Sequence, residues 1–158
     1  MLLEQSQHAL VHAAIGRSCF LLDDERFDEW LAMCTQDVSY SIRTYSPEIR
    51  REMTWLKHDR AGLEQMLSTM HLHQRDLGDL LRHPSVLQVE RGADSTLDTM
   101  TSVLICRTAQ DGSSSLFAAA RYFDTWDAAT GQLLLKARRV QLATRVFKSD
   151  SGGSHVPL

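Results

Sequence analysis

The sequence predicts an α+β fold in which a curved sheet, mixed or mostly antiparallel, wraps around N-terminal helices to form a cone. Three observations carry that expectation. Apolar residues recur at helical spacing as far as Cys34, the period then drops to two at Val38-Ser39-Tyr40-Ser41-Ile42, and the second half alternates strand-like runs with Gly- and Asp-containing turns.

In the first helix, Leu3–Leu22, an apolar stripe runs through Leu3, Leu10, Val11, Ala14, Ile15, Cys19 and Leu22, with Gln7 and Ser18 filling it in. Asp23 or Asp24 suits the start of a second helix, because a carboxylate can accept from its free N–H groups and favours its positive end. Phe27, Trp30, Leu31 and Cys34 give that helix one apolar face, and the chain leaves it through Thr35-Gln36-Asp37 into a strand at Val38–Ile42. Arg43–Asp59 shows no sustained period and Pro47 biases Ser46 away from helix, so this segment reads as a long loop with one helical turn at Glu48–Met53.

Leu63, Met66, Leu67 and Met70 predict a third helix from Arg60 to His73, with Asp59 as its N-cap. Gly78 weakens its continuation, and Pro84 opens the strand half. Four strands follow at Ser85–Val89, Leu97–Thr108, Leu116–Asp127 and Leu133–Phe147, pairing antiparallel in succession across turns at Gly92-Ala93-Asp94, Asp111-Gly112-Ser113 and Thr130-Gly131. In the last strand Val140, Leu142 and Val146 share one face, and Arg139, Gln141 and Arg145 the other.

At 158 residues the chain is long enough for one sizeable core, expected over residues 1–148, with a polar, flexible tail over 149–158. A net charge of −3 gives no electrostatic reason to expect nucleic acid or an anionic membrane as partner. Cys19, Cys34 and Cys106 are odd in number and widely spaced, which suits neither a disulfide framework nor a cysteine metal site and points to a reducing cytoplasm. The N-terminal segment lacks the basic region and unbroken apolar run of a secretory signal, and no later run approaches membrane-spanning length.

His71 and His73, with Asp76 and Asp79 nearby, are the most tempting metal ligands, since two imidazoles and a carboxylate can hold iron. On a helix, however, residues two apart point about 200° away from each other, so the pair converges only on extended backbone. The cysteines lack the C-x-H or C-x-x-H spacing of a Rieske site, and no dinucleotide, phosphate-loop, serine-hydrolase or zinc-protease motif occurs. An acid–base site in the mouth of the cone would draw on Asp37, Tyr40, His83, Tyr122 or Asp124. The same residues have structural duties to offer: a helix end for Asp37, core positions for the tyrosines, a corner for His83. Trp55, Arg82, Arg138, Arg139 and Arg145 are the candidates for a subunit interface, where large aromatic and guanidinium groups are favoured.

The run LLDDERFDEWLAMCTQDVSYSI, Leu21–Ile42, resembles the N-terminal signature of the small (β) subunits of aromatic-ring-hydroxylating dioxygenases, within the wider nuclear-transport-factor-2-like superfamily. The likeness continues through the third helix, Arg82-His83 and the closing strand with Arg138-Arg139. It implies a structural β subunit that carries neither cofactor nor catalytic residues. Its α partner would hold the Rieske [2Fe–2S] cluster and mononuclear Fe(II) and oxygenate an aromatic compound, with β–β contacts in an α3β3 assembly. Gly78-Asp79-Leu80-Leu81 replaces the Pro-Pro-Ser usual before the Arg-His pair, and the chain is similar to terephthalate- and sulfonate-type members. The alternative from another class is a stand-alone, cofactor-free dehydratase, isomerase or cyclase on the same cone.

Overall fold

The computed structural model describes residues 3–70 and 78–143. Among these residues three helices, α1 (Gln5–Asp23), α2 (Phe27–Ala32) and α3 (Arg60–Thr69), pack against one six-stranded sheet of β1 (Cys34–Ser46), β2 (Arg51–His58), β3 (Asp79–Arg91), β4 (Thr96–Thr108), β5 (Ser114–Asp127) and β6 (Leu134–Leu142). The strand order is β2-β1-β6-β5-β4-β3, with every neighbouring pair antiparallel except β1 and β6. The expected α+β cone with a mixed, curved sheet is therefore present.

The inner face follows from alternation. Tyr40 and Ile42 on β1, Thr99, Thr101, Val103 and Ile105 on β4, Tyr122, Asp124 and Trp126 on β5, and Arg138, Val140 and Leu142 on β6 are all buried. Val11, Ile15, Cys19 and Leu22 of α1, Trp30 and Leu31 of α2, and Leu63 and Leu67 of α3 close over them in one apolar cluster. Asp59 caps α3 as expected, its Oδ1 accepting from Gly62 N at 2.9 Å.

Three expectations need correction. The Arg43–Asp59 loop is instead a hairpin: β1 continues to Ser46 and β2 returns beside it, with Thr44 opposite Met53 and Ile42 opposite Leu56. Its period was hidden because the register shifts between Ile42 and Arg43, which leaves Trp55 as an extra residue and breaks the alternation. Neither Asp23 nor Asp24 caps α2; Asp23 is still in α1, Glu25 takes a left-handed backbone (φ 57°), and Arg26 occupies the N-cap position without a side-chain capping bond, its guanidinium donating to Glu29 instead. Asp28 and Glu29 supply the negative charge at that helix start. Finally, β3 begins at Asp79, not after Pro84; it is an edge strand, where a residue without an N–H is tolerated. His71, His73, Asp76, Arg145 and the tail lie outside the described residues.

Gly78 and Gly112 both have positive φ, +68° and +83°, but a Cβ at Gly78 would come within 2.2 Å of Thr108 O while one at Gly112 meets nothing within 4 Å. Gly112→Ala is expected to cost about 1 kcal/mol, the left-handed penalty alone, and Gly78→Ala clearly more. Urea unfolding midpoints of the two variants measured side by side check the order.

Candidate functional site

The polar groups inside the cone converge on Arg138. Register puts it opposite Asp124 on one side and Tyr40 on the other. Its Nε and Nη2 donate to the two Asp124 carboxylate oxygens at 2.8 and 2.9 Å, the two-pronged geometry that a planar guanidinium allows. Its Nη1 donates to Ser18 Oγ at 3.1 Å, and the same hydroxyl accepts from Trp30 Nε1 at 3.1 Å. The guanidinium lies 4.1 Å from the Tyr122 ring centroid, and Trp30 meets Tyr40 edge to face at 6.0 Å. Both charged side chains are fully enclosed.

Burial pushes the Asp124 carboxyl up from its ordinary value, against the pull of Arg138. Burial also works against the Arg138 charge, but Asp124 outweighs it and holds the guanidinium protonated. The Tyr122 hydroxyl is raised well above the tyrosine range by burial, so it is no base at any ordinary pH. A second lock joins helix to edge strand: Asp23 at the end of α1 accepts from both the backbone N–H and the guanidinium of Arg82, whose side chain is almost wholly buried.

The structure thus separates the acid–base candidates. Tyr40, Tyr122 and Asp124 meet inside, where Asp124 is already held by Arg138. Asp37 lies outside, accepting from Thr35 Oγ1 at 2.7 Å and facing Lys136 at 3.9 Å, and His83 is exposed on β3. Of the interface candidates, Arg82 and Arg138 are buried by their own chain, while Arg139 is half-buried on the outer face over the Phe123 ring at 4.2 Å. Trp55 is 41% exposed on the hairpin, near exposed Tyr45, Ile49 and Met53.

Among the described residues no three His, Cys, Asp or Glu side chains stand close enough to hold an ion. Burial pushes the Cys34 thiol up to about 11 and raises Cys19 as well, so neither offers a thiolate at neutral pH. Sequence reasoning named Asp124 and Arg138 in different roles and missed their partnership. The signal was available, for the two residues are equally distant from Gly131 in the β5–β6 turn, and Ser18 had stood out as a polar residue in an apolar stripe.

A family model described as "Ring hydroxylating beta subunit" matches residues 17–149. The β subunit of 2-aminobenzenesulfonate 2,3-dioxygenase from Alcaligenes sp. is 36% identical over 138 residues, 87% of this chain and 90% of that one. The β subunit of the methanesulfonate monooxygenase hydroxylase from Methylosulfonomonas methylovora is 32% identical, covering 94% of this chain and 85% of its own. Among solved structures, a β subunit provisionally assigned to an aromatic-ring-hydroxylating dioxygenase of Novosphingobium aromaticivorans superposes with a TM-score of 0.81 at 16% identity, over 98% of this chain and all of that one. At that identity the likeness speaks for the fold alone.

Asp124→Ala would leave the Arg138 guanidinium buried without its counter-ion, at an expected cost of about 3–5 kcal/mol. Asp124→Leu combined with Arg138→Met removes both charges and should cost less than Asp124→Ala. Urea unfolding of the two variants measures the difference, and equal losses would contradict a charge-pair origin.

Proposed function

This chain belongs to the ring-hydroxylating beta subunit family, and on that premise we propose that it is the structural subunit of a Rieske-type oxygenase acting on an organosulfonate. The α subunit carries the [2Fe–2S] cluster and the mononuclear Fe(II), and three copies of each chain assemble as α3β3. The observation that carries the reading is the family match, which spans almost the whole described chain. The sulfonate class is supported by the two relatives above 30% identity, whose names both specify sulfonates, one aromatic and one not.

The internal chemistry favours this reading over a stand-alone cone enzyme. An acid–base site needs a carboxylate or imidazole that substrate can reach, with a proton to give or take. Here both oxygens of the interior carboxylate Asp124 are held by Arg138, and Asp37 and His83 are exposed outside the cone. The polar groups that would serve catalysis serve packing instead.

Purified alone, the chain should be colourless and inert. Co-expressed with the α subunit encoded beside it, it should copurify as a red-brown complex that consumes oxygen with a sulfonate and reduced electron donor. In that complex Asp37→Asn and His83→Ala are expected to leave kcat within about twofold of wild type, whereas loss of a general acid or base costs roughly 10²-fold or more. Oxygen uptake by the two variants distinguishes the readings.

A further inference from the structure

The outer face of the sheet carries guanidinium groups that form no ion pair among the described residues. Register aligns Ser41, Arg139 and Phe123 in one row across β1, β6 and β5, and Arg43, Gln141 and Arg121 in the next. Three arginines therefore surround Gln141. Arg139 donates to Gln141 Oε1 at 3.3 Å, but among the described residues none of Arg43, Arg121 and Arg139 forms an ion pair. The Arg43 Nε is buried and reaches no acceptor among the described residues, a condition that native proteins seldom leave uncompensated. Acids on this face are engaged by neutral donors: Glu52 accepts from Gln141 Nε2 at 3.2 Å, Asp98 from Thr125 Oγ1 at 2.8 Å, Glu90 from Gln88 Nε2 and Asp127 from Ala129 N.

Ser39, Ser41, Arg43, Phe123 and Arg139 line an open groove of about 440 Å³, in which Asp98 is the exposed acid and is bonded to Thr125 rather than to an arginine. The same face continues over β3–β5 into apolar ground: Leu81 and Leu116 flank Cys106, and Leu104 lies between His83 and Ala119, with the three leucines 41–51% exposed. Unpaired arginine beside exposed leucine is the composition of a protein interface, not of a solvated face. A second copy of this chain is a poor occupant. Face-to-face pairing centred on Arg43 and Arg139 would set arginines against arginines, and in the acid-rich groove between α2 and α3 Glu29 is already paired with Arg17 and Arg26 and Glu64 with Arg60.

Resting on the subunit reading above, we propose that this outer face, centred on Arg43 and Arg139, is the docking surface for an acidic segment of the α subunit. Carboxylates of the partner take the place this chain leaves open beside the two guanidiniums, and the leucine ground gives the contact its apolar area. The test uses the co-expressed complex of both subunits. Arg43→Glu combined with Arg139→Glu should reduce α binding at least about tenfold, and the charge-neutral Arg43→Gln/Arg139→Gln pair should reduce it less. Rising NaCl should dissociate the wild-type complex and have little effect on whatever binding the Gln pair retains. Circular dichroism and urea midpoints of the isolated variants should match wild type; if the Glu pair folds poorly, the Gln pair decides alone. Wild-type affinity and salt dependence in the Gln pair and in any folded Glu pair would overturn the assignment, as would loss of β–β association with α binding intact. Failure of the wild-type chain to bind its α subunit would instead overturn the subunit reading, and this assignment with it.

Discussion

Everything inside the cone is arranged around one buried ion pair. Removing Arg138 and Asp124 from water is costly, and the cost is offset only if each prong of the guanidinium and each carboxylate oxygen finds its partner in good geometry. That requirement fixes the register of β5 on β6, because a one-residue slip would turn one of the two charges to the opposite face. It also fixes the helices. The remaining Arg138 donor needs Ser18, which sets the rotation of α1 over the sheet, and Ser18 in turn holds the indole of Trp30 and so the short α2. Tyr40 and Tyr122 then have only one way to pack, against Trp30 and over Arg138.

The two faces of the sheet have opposite electrostatic character as a result. On the inside, Arg138 is matched by Asp124 and Arg82 by Asp23. On the outside, arginines are left to hydrogen-bond with an amide or to lie on a ring. A fold that elsewhere could keep a reactive carboxylate in its mouth has here closed that chemistry into a structural lock. The surface is left to meet the α oxygenase subunit with which β subunits of this family pair.

Much of this was legible in the residues. The helical stripe of α1, the Asp59 cap, the turns at Gly112 and Gly131 and the strand character of β4–β6 all follow from local chemistry, because each depends on neighbours in sequence. The β1–β2 hairpin was not legible, since a single extra residue at Trp55 erases the period of two that announces a strand. Nor was the role of Asp23, whose short-range reading as a cap gives way to a long-range partner in Arg82. In the interior site the residue types were visible but their pairing was not, for an aspartate and an arginine in separate strands look the same whether they face water or each other.

The parallel pairing of β1 with β6 has a consequence for how the protein is made. β1 leaves the ribosome well before β6, yet β6, the last described strand, is the neighbour that satisfies one of its edges. Until then the β1–β2 hairpin can form, but Tyr40 and Ile42 have no sheet to join, and an open strand edge with apolar side chains is a site for wrong pairing. Contacts between distant parts of a chain are slow to form because the loop entropy is lost before they reward it. Nascent chains of this protein therefore pass through an unfinished state whose lifetime is set by synthesis, and the yield of soluble subunit should depend on translation rate and chaperone supply more than on the stability of the finished fold.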